Sequence, residues 1–141
     1  MAFKVFADAN ILLDFTLKRE GYDVAKKIFQ FSLDGDIQLF ITPAILHISA
    51  YWIAKAYGKK TAKELLLNLL ADVKIIDASH EITINALCSD MDDVEDALQY
   101  FTAIYHHMDY FITGDKELLQ SGIPILPVYT PEVFLKEVIM L

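Results

Sequence analysis

Along the 141-residue chain, apolar positions alternate between short unbroken runs and a spacing of three to four residues. The first pattern marks buried strands and the second amphipathic helices. Phe3 to Asp8 is a strand ending in an acid, followed at once by a helical stretch from Asn10, NILLDF, that Glu20 and Gly21 break. Helical spacing resumes from Tyr22 to Leu33, with Val24, Ala25, Ile28, Phe29 and Phe31 inward and Lys26 and Lys27 outward. Ile37 to Thr42 reads as a second strand, and Pro43 occupies a first helical position, where its missing N–H costs nothing. That helix runs to about Tyr57 and stops at Gly58. It is apolar on nearly every side, so it is either buried almost all round or covered by a partner chain. Further helices are predicted over Lys59 to Ala71 and Ile82 to Cys88, with a strand at Val73 to Ile76 between them.

An acid-opened helix then runs to His107, followed by a strand at Tyr110 to Thr113 and a short helix around Lys116 to Gln120. Pro124 to Val128 is predicted as a final edge strand, where proline is tolerated, and a last helix starts at Thr130 and Pro131. Strands alternating with helices throughout predict a parallel sheet covered on both faces. The length and the absence of any linker or repeat predict one domain over residues 1–141.

The candidate chemistry lies at the starts of helices and the ends of strands. Asp8 ends the first strand, Asp93 and Asp96 open the amphipathic run of Ala97, Leu98, Phe101, Ile104 and Tyr105, and Asp115 follows the apolar run from Tyr110. Asp93 and Asp96 are expected on adjacent ridges of one first turn. In a parallel sheet the ends after the first and later strands share one edge, where open α/β folds bind ligands. Lys116 is the only Lys or Arg from Asp90 to Leu119, so these acids lack basic partners and suit a hard cation such as Mg2+. An ion held there would activate a water and screen a phosphate, as phosphodiester hydrolysis requires. For Asp8 or Asn10 taken alone, a helix N-cap is the simpler role.

Composition narrows the remaining classes. A formal net charge of −8 disfavours broad, sequence-independent nucleic-acid binding, although Lys55, Lys59, Lys60 and Lys63 cluster at one helix junction. No apolar run approaches the ~20 residues needed to span a bilayer, and the N-terminus shows no signal-peptide pattern, so a soluble, cytoplasmic protein without membrane contact is expected. The single Cys88 excludes an internal disulfide framework and is expected as a small buried hydrophobe. His106 and His107 point about 100° apart on a helix and cannot form one ligand pair.

The opening DANILLD, the central DVEDALQY and the late DYFITGDKELL, in this order and spacing, resemble the PIN domain family, specifically VapC-like toxin ribonucleases of type II toxin–antitoxin systems. The resemblance covers essentially the whole chain. It implies a three-layer α/β/α sandwich around a mostly parallel sheet of about five strands, and an endoribonuclease using Mg2+ or Mn2+. Asp8, Asp96 and Asp115 match the family's metal-binding and catalytic acids, and Asp93 matches an accessory acid. Asn10 and Thr113 match polar residues lining the same cleft. A cognate antitoxin and an RNA substrate follow from the same resemblance, and the apolar helix ending at Tyr57 suggests a homodimer.

The chain departs from the pattern at one position. The family usually carries a Glu on the helix after the second strand, but no carboxylate occurs between Asp36 and Glu64, and Ser49 aligns with that slot as a cleft-lining residue. The alternative is therefore a degenerate member that binds RNA or a partner protein without cutting. A receiver domain is disfavoured because Ile123 to Val128 holds no lysine, and a haloacid-dehalogenase-type phosphatase because Asn10 stands where its second Asp is needed.

Overall fold

The computed structural model describes residues 2–139. Five strands, β1 (Phe3–Ala7), β2 (Ile37–Ile41), β3 (Val73–Ile75), β4 (Tyr110–Ile112) and β5 (Val128–Tyr129), pair in the order β3-β2-β1-β4-β5. Every pairing is parallel. Helices α1 (Ala9–Thr16) and α2 (Tyr22–Leu33) connect β1 to β2, and α3 (Pro43–Tyr57) and α4 (Lys59–Leu69) connect β2 to β3. After β3 the chain returns past β2 and β1 through α5 (His80–Leu87) and α6 (Val94–Tyr105) to reach β4. It then passes through α7 (Lys116–Ser121) to β5, α8 (Pro131–Phe134) and a π-helical turn over Leu135–Ile139. Right-handed crossovers place the helices preceding β3 on one face of the sheet and α5 to α7 on the other, giving the three-layer α/β/α sandwich.

The central strand shows why the sheet forms. Val5, Phe6 and Ala7 are fully buried, as a strand covered on both faces requires. Phe6 pairs with Phe111 in register, and their rings stack at 4.8 Å. This register sets Ala7 beside Ile112, so the residues that follow, Asp8 and Thr113, emerge together at the carboxyl edge. Connections leave β1 in one direction and β4 in the other, and the crevice between them is the topological switch point of the sheet. Because β4 starts from the opposite edge, α6 begins at this same carboxyl edge.

Several predicted boundaries move. The first helix ends at Thr16, ahead of the expected break at Glu20, because Lys18 takes a left-handed backbone (φ 51). The acidic helix starts at Val94, so Asp93 lies outside its first turn as the cap. The edge strand expected over Pro124 to Val128 is only Val128–Tyr129. Pro124 and Pro127 have no N–H to donate, and Ile123 instead bridges Leu126. Cys88 is exposed rather than buried, because it follows the last turn of α5 on the solvent side. Among the described residues no helix is long and apolar enough to cross a membrane.

Candidate functional site

Asp8 leaves β1 with extended backbone (φ −75, ψ 165) and caps α1. Its Oδ1 accepts a hydrogen bond from the Ala9 N–H at 2.8 Å, and its Oδ2 accepts one from the Thr113 hydroxyl at 2.8 Å. Buried Thr113, just past β4, also accepts the Asp115 N–H at 3.0 Å, so one hydroxyl ties the ends of two adjacent strands. Asn10 fixes the same loop from the other side. Its Oδ1 accepts the Gly114 N–H at 3.2 Å, and a Cβ at Gly114 would stand only 3.3 Å from Asn10 Nδ2. Asp115 caps α7, its Oδ1 accepting from Glu117 N–H at 2.8 Å.

From the opposite layer, Asp93 caps α6 by accepting the Asp96 N–H at 2.9 Å. Asp93 and Asp96 were both expected in the first turn of the helix, but Asp93 is its cap, and one of its oxygens is already used there. The Asp96 carboxylate accepts no hydrogen bond from any described residue. Its pKa is pushed up to about 7, first by burial and then by the negative charges of Asp93, Asp115, Asp8 and Glu95. Asp8 is also raised, chiefly by burial, with Asp115 adding to it and the bonds from Thr113 and Ala9 opposing it. The one ion pair among the described residues, Arg19 to Asp14 at 3.0 Å, involves none of these acids.

The structure thus brings Asp8, Asp93, Asp96 and Asp115 into mutual electrostatic reach, with Asn10 and Thr113 as the struts beneath them. Ser49 is different. It has no solvent exposure, lies on the α3 face that also buries Ile45 and Ile53, and its Oγ has no hydrogen-bond partner. It therefore does not line an open cleft, contrary to expectation, because its helix packs that face inward.

Three further residues belong to this edge and were not singled out from sequence. Glu95 has its pKa raised by burial, then by Asp8 and Asp93, so it faces the same acids. Its signal was the run Asp93-Val94-Glu95-Asp96, in which helical spacing favoured the flanking pair. Buried Thr42 and Gln99 bond at 2.5 Å and lock α6 to the end of β2. Nothing local in the sequence pairs two positions so far apart.

The donor set suits a hard divalent cation, since it is all oxygen, carries several negative charges and includes two carboxylates, Asp96 and Glu95, that have no partner among the described residues. Among the described residues no three acids already stand at chelating distance, so the fit is one of chemistry and placement, with side-chain rotation needed to close on an ion. Beside the acids opens a cleft of about 550 Å3 that includes Asp93 and Asp96 but neither Asp8 nor Asp115.

A family model described as PIN domain matches residues 4–117. No curated protein matches the chain. Among solved structures, a toxin–antitoxin complex from Klebsiella pneumoniae is similar over 90% of this chain and 97% of that chain, with a TM-score of 0.68 and 22% identity. The VapBC2 complex of Rickettsia felis, bound to a DNA fragment from their promoter, is similar over 91% and 98%, with a TM-score of 0.66 and 17% identity. At these identities the likeness is one of fold.

Proposed function

Because this chain belongs to the PIN domain family, we propose that it is a single-domain, divalent-cation-dependent endoribonuclease of the VapC kind, restrained by a protein antitoxin. The observation that carries this reading is the gathering of Asp8, Asp96 and Asp115 at one sheet edge with no ion pair to a basic side chain among the described residues. Uncompensated charge of this kind destabilises the chain unless an ion is bound. Asp8, Asp96 and Asp115 would hold Mg2+ or Mn2+, with Asp93 and Glu95 adding negative charge from the start of α6. When bound, the ion supplies charge neutralisation at the phosphate and an acidified water.

The chain's own residues set the geometry. Thr113 fixes the spacing between Asp8 and the backbone of Asp115, and Asn10 holds Gly114 so that this loop stays against β1. The Thr42–Gln99 bond keeps α6, and hence Asp96, over the crevice. Asp96, unlike Asp8 and Asp115, accepts no hydrogen bond from a described residue and is the freest of these three side chains to turn toward an incoming phosphate or to take a proton.

An antitoxin partner is supported by the likeness to toxin–antitoxin complexes and by the outer faces of α3 and α4. Tyr51, Trp52, Tyr57 and Leu67 are exposed there, with Lys55 standing 5.5 Å over the Trp52 ring. The same surface is where a homodimer would form. The competing reading, a member that binds without cutting, is favoured by the absence of a carboxylate at Ser49.

The test is cleavage of labelled single-stranded RNA, with single-stranded DNA of the same sequence as control. We expect weak, Mg2+- or Mn2+-dependent cutting of RNA that a chelator stops. Cutting that persists in excess chelator would remove the cation from the account, and no cutting in either metal would favour the binding-only reading.

A further inference from the structure

We propose that the side-chain amide of Gln99 is a neutral substrate contact, donating a hydrogen bond to a non-bridging oxygen of the RNA phosphodiester held at the acid edge. The proposal rests on the ribonuclease reading. It starts from the register of the sheet. Phe6 pairs with Phe40 and Ala7 with Ile112, so beyond the strand ends Asp8 emerges between Thr42 on one side and Thr113 on the other. The Thr42 hydroxyl holds Gln99 at 2.5 Å, and Gln99 follows Asp96 by one turn of α6. The amide thus lies beside both Asp8 and Asp96.

Only half of that amide is committed. The Thr42 oxygen accepts the Ile45 N–H at 3.3 Å while its own proton goes to Gln99 Oε1, which turns Nε2 the other way. Gln99 is only 4% exposed, yet its N–H2 group makes no hydrogen bond with any described residue. Nor is this group sealed in the core, because the one fully buried polar side-chain atom without a partner among the described residues is Ser49 Oγ. A buried amide with its oxygen anchored and its donors open to the crevice is set to meet an acceptor from outside the chain. The anchoring also strengthens it, since an amide that accepts at oxygen is polarised toward donating at nitrogen.

Charge identifies the acceptor. Neither Asp8 nor Asp96 takes a bond from Gln99, and among the described residues no basic side chain pairs with these acids. A lysine here would pair with the acids and compete with the divalent ion, whereas a neutral N–H2 leaves their charge available. The hydroxyls of Thr42 and Thr113 already donate to Gln99 and Asp8, so neither has a proton left for substrate. A phosphodiester at the acids carries two non-bridging oxygens, and a donor fixed in advance beside them stabilises the charge that builds there during hydrolysis.

The experiment pairs Gln99→Met with single-atom changes in the substrate. Single-stranded RNA is made with oxygen, or with sulfur at one or the other non-bridging position of its phosphodiesters, and cleavage is followed in Mg2+ and in Mn2+. Gln99→Met should cut the all-oxygen RNA on the order of 100-fold more slowly. Sulfur at one of the two positions should slow the wild type about tenfold in both metals, the size of one hydrogen bond to a charged group, and should not slow Gln99→Met further. In parallel, the Gln99 N–H2 signals of the wild type, assigned by NMR through their contact with Thr42, should shift when the RNA is added with Ca2+ in place of Mg2+. If sulfur slows both proteins equally at both positions, or if Gln99→Met cuts at the wild-type rate, Gln99 only latches α6. That result overturns the contact and leaves the ribonuclease reading standing. If Gln99→Met does not fold, the wild-type sulfur effect and the N–H2 shift decide, and absence of either overturns the contact. Signals that RNA shifts, with no cleavage by the wild type in either metal, uphold the contact and remove the ribonuclease reading. Unmoved signals without cleavage overturn both.

Discussion

Asp96 is the residue whose environment most opposes its charge. An aspartate in an unfolded chain titrates near pH 3.9, whereas burial and four neighbouring acids move Asp96 to about 7 in the fold. Between about pH 4 and pH 7 the folded chain therefore retains a proton that the unfolded chain has released. Stability without a divalent cation falls as pH rises through that window, and Asp8 and Glu95, also raised, act in the same direction. Asp96→Asn should melt above the wild type at pH 8 and equal it at pH 4. The gain, discounted for partial exposure, is on the order of 1 kcal/mol, or ~3 °C for a chain of this size. Parallel pH profiles for the two proteins would contradict the assigned environment. Thr113 is the complementary case, a neutral strut rather than a charged group. Thr113→Val keeps the shape but removes the donor to Asp8 and the acceptor for Asp115, and should cost about 1–2 kcal/mol in a denaturant titration. If Asp8 and Asp115 hold the proposed ion, RNA cleavage should fall ~10–100-fold, the usual effect of losing a residue that orients a metal ligand. An unchanged rate would show that Asp8 and Asp115 need no such strut.

At the scale of elements, helix starts were the most legible part of the sequence and also the most ambiguous. Asp8, Asp93 and Asp115 each stand where a strand or loop enters a helix, and all three are N-caps. An aspartate there satisfies a cap and can serve a site with the same side chain, so spacing alone does not separate the roles. It is the register of Ala7 with Ile112, readable only in three dimensions, that brings Asp8 against Thr113. The Tyr22–Leu33 helix matched its prediction because periodicity, turn residues and burial all agree there. The last strand did not, since Pro124 and Pro127 break the ladder that the apolar run suggested. On α3, alignment of Ser49 with the missing acid could not reveal that the residue has no exposure. Its unpartnered hydroxyl makes Ser49→Ala a stabilising change of about 1 kcal/mol, measured by the denaturation midpoint. A lower midpoint would show that the hydroxyl bonds to something, such as a buried water.

At the scale of the whole molecule, a parallel sheet with its switch point between β1 and β4 focuses acids at one edge and leaves apolar surface elsewhere. The exposed Trp52 and Leu67 on α3 and α4 predict association through that face, so Trp52→Asp should shift the mass measured by sedimentation toward the monomer. A wild type that is monomeric at high concentration would remove the dimer and leave that face to a different partner. The central claim is that the acids at this edge hold one divalent ion that lets the chain cut RNA. It is tested most directly by counting bound Mn2+ while following single-stranded RNA cleavage, for the wild type and Asp96→Asn together. The account predicts about one Mn2+ per wild-type chain with measurable cleavage, and loss of both in Asp96→Asn. Equal cleavage by the two proteins across a range of Mg2+ and Mn2+ would contradict it.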